Sequence, residues 1–184
     1  MLNGFRRPRR TAVFISGGGS TLQALLEMHH QLEIAIVVTN KRTAGGILKA
    51  RRFGKNVIFL DKLMSLESLH EILKEHRIEL LVLAGFMKLL PAGFVGLWKN
   101  RILNIHPSLL PKYPGLRSLE RSYGDNSDLG ATIHRVIAEM DAGKIMLQQK
   151  ALTTPQNLTL AEADLFLRRT EQSLLRELAF RYCA

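Results

Sequence analysis

The chain has 184 residues, 46% of them hydrophobic, and carries 26 Lys and Arg against 16 Asp and Glu, for a net charge of +10. That is enough for one well-buried core but not for a second full domain, and no apolar stretch reaches the roughly 18 residues of a membrane span. The one cysteine, Cys183, leaves no internal disulfide, which suits a reducing, cytoplasmic setting.

The first ten residues form a basic arm, and the apolar run that follows is too short for a signal sequence. From residue 11 to 184 we expect one domain. Short apolar segments at Thr11–Ile15, Ile34–Thr39, Val57–Leu60, Leu80–Ala84 and Arg101–Ile105 read as strands. Helical spacing falls between them at Ser20–His29, Thr43–Phe53 and Ser65–Arg77, the last placing Leu66, Leu69, Leu73 and His76 near one face. Ala131–Ala138 and Ile145–Leu152 read as two further strands joined by a turn at Asp141-Ala142-Gly143, and Leu158–Phe180 as a closing amphipathic helix. Strands alternating with helices at this pitch predict an α/β fold with a largely parallel sheet.

The positive charge is scattered from the arm to Arg181, and the chain has one Trp and three Tyr. A nucleic-acid binder would gather that charge on one face beside stacking aromatics. Attraction of small polyanions and a general basic bias account for it equally well.

Three segments carry chemistry. Thr11–Ile15 runs through Ser16-Gly17-Gly18-Gly19-Ser20-Thr21-Leu22 into a helix. Glycines let backbone approach a ligand, and N–H groups at a helix start suit an anion. A dinucleotide fingerprint fails, because Leu22 stands at its third glycine and no acid follows the second strand. A phosphomonoester fits better. Next, Asn104 and His106 stand at i and i+2 where a strand ends, so they share a face. An amide donor beside an imidazole suits stabilisation of an oxyanion and proton transfer near neutral pH. Pro107, Pro111 and Pro114 stiffen the loop that follows. Asp141, taken alone, is ordinary turn chemistry. Beside His106 it would orient the ring and favour imidazolium.

Ser16–Ser20 with Leu22–Leu25, Leu83–Met87, the run Asn104–Gly115, and Ile133–Arg135 with Asp141–Gly143 occur in the order seen in the glycinamide ribonucleotide formyltransferases. The chain resembles that folate-dependent family of purine biosynthesis from about Thr11 to Phe180. The resemblance implies a twisted, mostly parallel, Rossmann-like sheet with helices on both faces. It implies formyl transfer from 10-formyltetrahydrofolate, a cosubstrate, with no metal. Asn104, His106 and Asp141 fall on the family's catalytic trio. Gly19, Ser20 and Thr21 fall on the phosphate loop, and Arg168 and Glu171 near the substrate's amine. Met87, Lys88, Leu89 and Leu90, with Asn104 and Ile137, Ala138, Glu139, Met140 and Asp141, fall on the folate pocket. His134 matches a family histidine of supporting or structural role.

Thr21 and Lys88 stand where the family usually has Asn and Arg. Arg117 and Gln172 often align with His, and Lys144 with Pro. None of these touches the trio. The implied partners are small molecules, with neither nucleic acid nor membrane, and the chain is a monomer or homodimer. A formyltetrahydrofolate hydrolase would share the trio but carries an extra N-terminal domain, and a methionyl-tRNA formyltransferase carries a C-terminal barrel. A sugar-nucleotide formyltransferase stays open. A non-enzymatic folate or phosphate binder has no need of Asn104 and His106 together.

Overall fold

The structure, a computed structural model, describes residues 7–29, 32–155 and 157–183. Seven strands form a sheet in which, numbered along the chain, the order is third, second, first, fourth, fifth, sixth, seventh. The chain divides into two compact units, Met1–Lys88 with Leu175–Ala184, and Leu89–Leu174.

In the first unit, β1 (Arg10–Ile15), α1 (Ser20–Glu27), β2 (Glu33–Thr39), α2 (Gly46–Arg52), β3 (Asn56–Phe59), α3 (Leu66–Glu75) and β4 (Leu80–Leu83) alternate as the periodicity predicts. β1 pairs parallel with β2 and β4, and β2 parallel with β3. Val13, Phe14, Ile36, Val37, Leu81 and Val82 are fully buried. Such continuous apolar strands are what parallel sheets require, because both faces are covered. Each such side chain is worth about 1.5–3 kcal/mol of burial. α3 starts where Ser65 accepts the Ser68 N–H at 3.1 Å and buries Leu69 and Leu73. Of the expected basic arm, residues 1–6 lie outside the described residues. Arg7 is held by Glu79 through two 3.0 Å hydrogen bonds, and Arg10 already belongs to β1, paired with Glu33 and donating to the His76 carbonyl.

The second unit holds α4 (Ala92–Leu97), β5 (Ile102–His106), α5 (Ser118–Gly124), β6 (Leu129–Arg135), β7 (Ile145–Leu152) and most of α6 (Leu160–Leu178). β5, β6 and β7 pair antiparallel. Two helices are absent from the sequence reading. α4 is six residues with two glycines, and α5 is seven residues after Arg117 in the left-handed region, so neither has the length or propensity to stand out. β6 also differs. It ends at Arg135 rather than Ala138, where the chain reverses toward β7 with Gly143 packed against the Arg135 carbonyl and Lys144 accepting the Arg135 N–H at 2.9 Å. Ile137 and Ala138 therefore leave the sheet and lie exposed. A π-helical turn, Ala179–Cys183, follows α6. Among the described residues no helix is long and apolar enough to cross a membrane.

Candidate active site

β5 presents Asn104 and His106 on one side of the sheet, as their i, i+2 spacing requires. The antiparallel register sets His134 opposite Asn104 and Thr132 opposite His106. Directly opposed residues on one face are neighbours, so four polar side chains gather on two largely apolar strands. Asp141 reaches them from the turn after β6. There it adopts φ 52°, and Gly143 makes the turn possible, since a Cβ there would lie 1.8 Å from the Arg135 carbonyl oxygen. The Asp141 carboxylate accepts the Gly115 N–H at 2.8 Å and the Asn104 amide at 3.3 Å. It lies 3.4 Å from His106 Nδ1 and 3.3 Å from His134 Nε2.

The hydrogen-bond partners fix proton positions. His106 Nε2 donates to the Tyr113 carbonyl at 2.9 Å, leaving Nδ1 toward Asp141. Both neighbours are acceptors, so only the imidazolium satisfies both contacts. Burial nevertheless dominates and pushes the His106 pKa below 6.5, although the Tyr113 carbonyl and the Asp141 charge pull it up. The expectation that Asp141 keeps this ring charged is corrected to that extent. Its pull is present but outweighed by a ring that is only 5% exposed. Burial also opposes the charge on Asp141, yet hydrogen bonds from His134 and the Gly115 N–H, with the neighbouring His106, hold its pKa at about 2. His134 Nδ1 donates to the Arg135 carbonyl at 2.9 Å. His134 Nε2 faces both the Asp141 carboxylate at 3.3 Å and the Asn104 amide nitrogen at 3.1 Å. The cluster thus combines an ionised carboxylate, a buried neutral imidazole able to accept a proton, and an amide donor.

The loop after β5 is held as firmly as the strand. Ser108 Oγ donates to the Lys112 carbonyl at 2.7 Å, and Thr132 Oγ donates to the Ser108 carbonyl at 2.7 Å. Gln148 donates to the Leu110 carbonyl at 2.9 Å and to Thr132 Oγ at 2.8 Å. In the first unit, the glycine segment joins β1 to α1. Gly19 takes φ 70°, and a Cβ on it would sit 2.7 Å from Gly46 Cα, so glycine is required there by close packing as well as by conformation. Ser16, buried at the end of β1, donates to Asn40 at 2.6 Å and accepts the Met87 N–H at 2.8 Å.

The formyl transferase family model matches residues 9–178. The chain belongs to that family. It is 38% identical over 161 residues to phosphoribosylglycinamide formyltransferase of Haemophilus influenzae, covering 81% of this chain and 76% of that protein. It is 35% identical over 185 residues to the trifunctional purine biosynthetic protein adenosine-3 of Homo sapiens, covering 88% of this chain and only 18% of that protein. The crystal structure of phosphoribosylglycinamide formyltransferase from Anaplasma phagocytophilum superposes with a TM-score of 0.87 at 33% identity, covering 94% of this chain and 88% of that one.

In this formyl transferase the expected trio converges within the second unit, and the remaining expected residues fall in several places. Gly19 caps α1, with Ser20 and Thr21 as its first two residues. Met87 and Lys88 end the first unit and are exposed, and Leu89 in the second is 69% exposed. Leu90 is half-buried. Ile137 and Met140 are 44% and 49% exposed on the loop that carries Asp141, with Ala138 and Glu139 exposed beside them. Arg168 is paired with Asp164 one turn earlier on α6, at 2.6 Å, and Glu171 lies close enough to add to its charge stabilisation. Sequence reasoning left His134 without a defined part and missed the Tyr113 carbonyl, the Gly115 N–H, and Thr132 with Gln148. The alternation of polar Thr132 and His134 with apolar Ala131 and Ile133 was the available signal.

Proposed function

We propose that this chain transfers the formyl group of 10-formyltetrahydrofolate to the primary amine of glycinamide ribonucleotide, a step of de novo purine biosynthesis. Residues 11–184 are the formyltransferase domain of this reading. The observation that carries it is the convergence of Asn104 and His106 on the Asp141 carboxylate, one by a hydrogen bond and the other at 3.4 Å, in a chain of the formyl transferase family.

The reaction forms a carbon–nitrogen bond from the amine to the formyl carbon and breaks the bond from that carbon to the folate nitrogen. One proton passes from the amine to the departing nitrogen. That proton is relayed through water beside the Asp141 carboxylate to His106, which burial keeps neutral at rest and which becomes an imidazolium paired with Asp141 through Nδ1. The same relay then returns the proton to the folate nitrogen. Asn104 turns the N–H of its 3.3 Å contact with Asp141 toward the formyl oxygen while that oxygen carries negative charge. A positioned acid–base contributes about 10²–10⁴-fold, and one oxyanion donor about 10²–10³-fold. Asp141, with a pKa of about 2, stays ionised throughout and keeps the ring oriented through the Gly115 N–H that anchors it.

Folate fits the exposed apolar side chains of Leu89, Ile137 and Met140, which a flat heterocycle would cover, and Lys88 offers a cation to its carboxylate. Gly19, Ser20 and Thr21 take the ribonucleotide phosphate, while Glu171 and Arg168 meet the amine end. The test is a formyl-transfer assay with glycinamide ribonucleotide against buffer alone. Stoichiometric formylated amine and tetrahydrofolate are expected. Formate release without acceptor would make the protein a hydrolase, and no turnover a binder.

A further inference from the structure

Reading Gly17–Thr21 as the phosphate loop leaves a charge unmatched. A phosphomonoester carries about −1.5 to −2 near neutral pH, whereas the loop itself offers neutral N–H groups and two hydroxyls. A cation reaches it from the next helix. Lys49 extends its ammonium to the Gly19 carbonyl at 3.2 Å, the same oxygen that accepts the Gln23 N–H at 2.9 Å as α1 begins. The packing explains why Lys49 arrives there. Gly46 donates its N–H to the Gly17 carbonyl at 3.1 Å and lies against Gly19. Residue 49 stands at i+3 from residue 46, on the same side of α2. Lys49 is half-buried, and none of the ion pairs among the described residues involves it. An ammonium has three donors, so contact with Gly19 leaves two for a ligand.

We propose that Lys49 is a positioning residue of the phosphate loop, holding Gly19 at the start of α1 and supplying the positive charge that the substrate's phosphate requires. The proposal rests on the phosphate-loop reading above. A purely structural lysine would brace the loop whatever the ligand. A phosphate partner must distinguish phosphorylated from unphosphorylated substrate.

The experiment measures KM and kcat for glycinamide ribonucleotide, for its dephosphorylated riboside and for 10-formyltetrahydrofolate in wild type, Lys49→Met and Lys49→Arg. Loss of one charge-assisted hydrogen bond should raise the ribonucleotide KM about tenfold in Lys49→Met. The kcat, the folate KM and the riboside KM should hold within about twofold, and Lys49→Arg should recover most of the loss, since the charge is kept. Added salt should weaken ribonucleotide binding less in Lys49→Met than in wild type. An unchanged ribonucleotide KM in Lys49→Met would overturn the proposal, as would an equal rise for the riboside. If wild type itself does not prefer the ribonucleotide to the riboside, the phosphate-loop reading fails and takes this proposal with it. A wild-type preference that survives in Lys49→Met refutes the role of Lys49 alone.

Discussion

Replacing Asp141 with Asn tests the cluster through its stability as well as its chemistry. The wild-type carboxyl is held at about 2 against an ordinary 3.8. That difference corresponds to roughly 2 kcal/mol favouring the folded state. The side chain is only 10% exposed, so solvent screening takes little from this figure. The sign follows from the lowered pKa. Above pH 3.8 the full contribution is present, and it is lost as pH falls through about 2. At pH 3 roughly half of it is already gone by the same relation. Asn keeps the shape and still accepts the Gly115 N–H, so Asp141→Asn removes mainly the charge. Urea unfolding of both proteins at several pH values from about 7 to about 3 should show the variant about 2 kcal/mol less stable at neutral pH, with the gap roughly halved at the acid end. A gap that stays constant with pH, or no gap at pH 7, would refute the placement of an ionised Asp141 among His106, His134 and Gly115.

Asn104→Ala and His106→Ala should each lower turnover by about two to four orders of magnitude, measured per folded molecule in single-turnover formyl transfer. Because His106 is buried and hydrogen-bonded to Tyr113, its alanine variant should also lose about 1–3 kcal/mol of stability, which chemical unfolding will show. Burial lowers the His106 pKa below 6.5, so the acid limb of kcat/KM should lie below that pH. Asp141→Asn should move the limb lower still, because the carboxylate's charge is what favours the imidazolium. An NMR titration of the His106 ring in both proteins checks the assignment, and a limb above 6.5 would contradict it.

Much of the site was legible because it lies on regular structure. The period of a strand alone puts Asn104 and His106 on one face, and a strand running through glycines into a helix marks the loop at Gly19. Asp141 was legible only as a turn residue. Its position depends on how tightly the chain reverses, and that depends on the approach of Gly143 to the Arg135 carbonyl, which no local pattern encodes. His134 required the pairing register of β5 with β6, a non-local quantity. Val136-Ile137-Ala138 looked like strand because it is apolar, yet two of those residues face solvent beside Asp141. Apolar residues on an exposed loop imitate apolar residues placed for a core. Lys49 was invisible for the opposite reason, since a lysine on a short helix looks like surface until the neighbouring glycine loop is seen against it.

The distances within the cluster separate its frame from its working contacts. Buried polar groups need partners even without substrate, so catalytic donors must be satisfied by one another at rest. The bonds to fixed backbone are short: Gly115 to Asp141 at 2.8 Å, His106 to Tyr113 at 2.9 Å and His134 to Arg135 at 2.9 Å. The contacts between functional groups are longer, with Asn104 to Asp141 at 3.3 Å and His106 to Asp141 at 3.4 Å. Exchanging a long contact for a developing oxyanion sacrifices little, whereas breaking a short one would release the orientation of the whole group. The backbone therefore fixes where each side chain stands, and in the proposed reaction the 3.3 Å contact of Asn104 with Asp141 is the one given up to the formyl oxygen, while Asp141 stays beside His106.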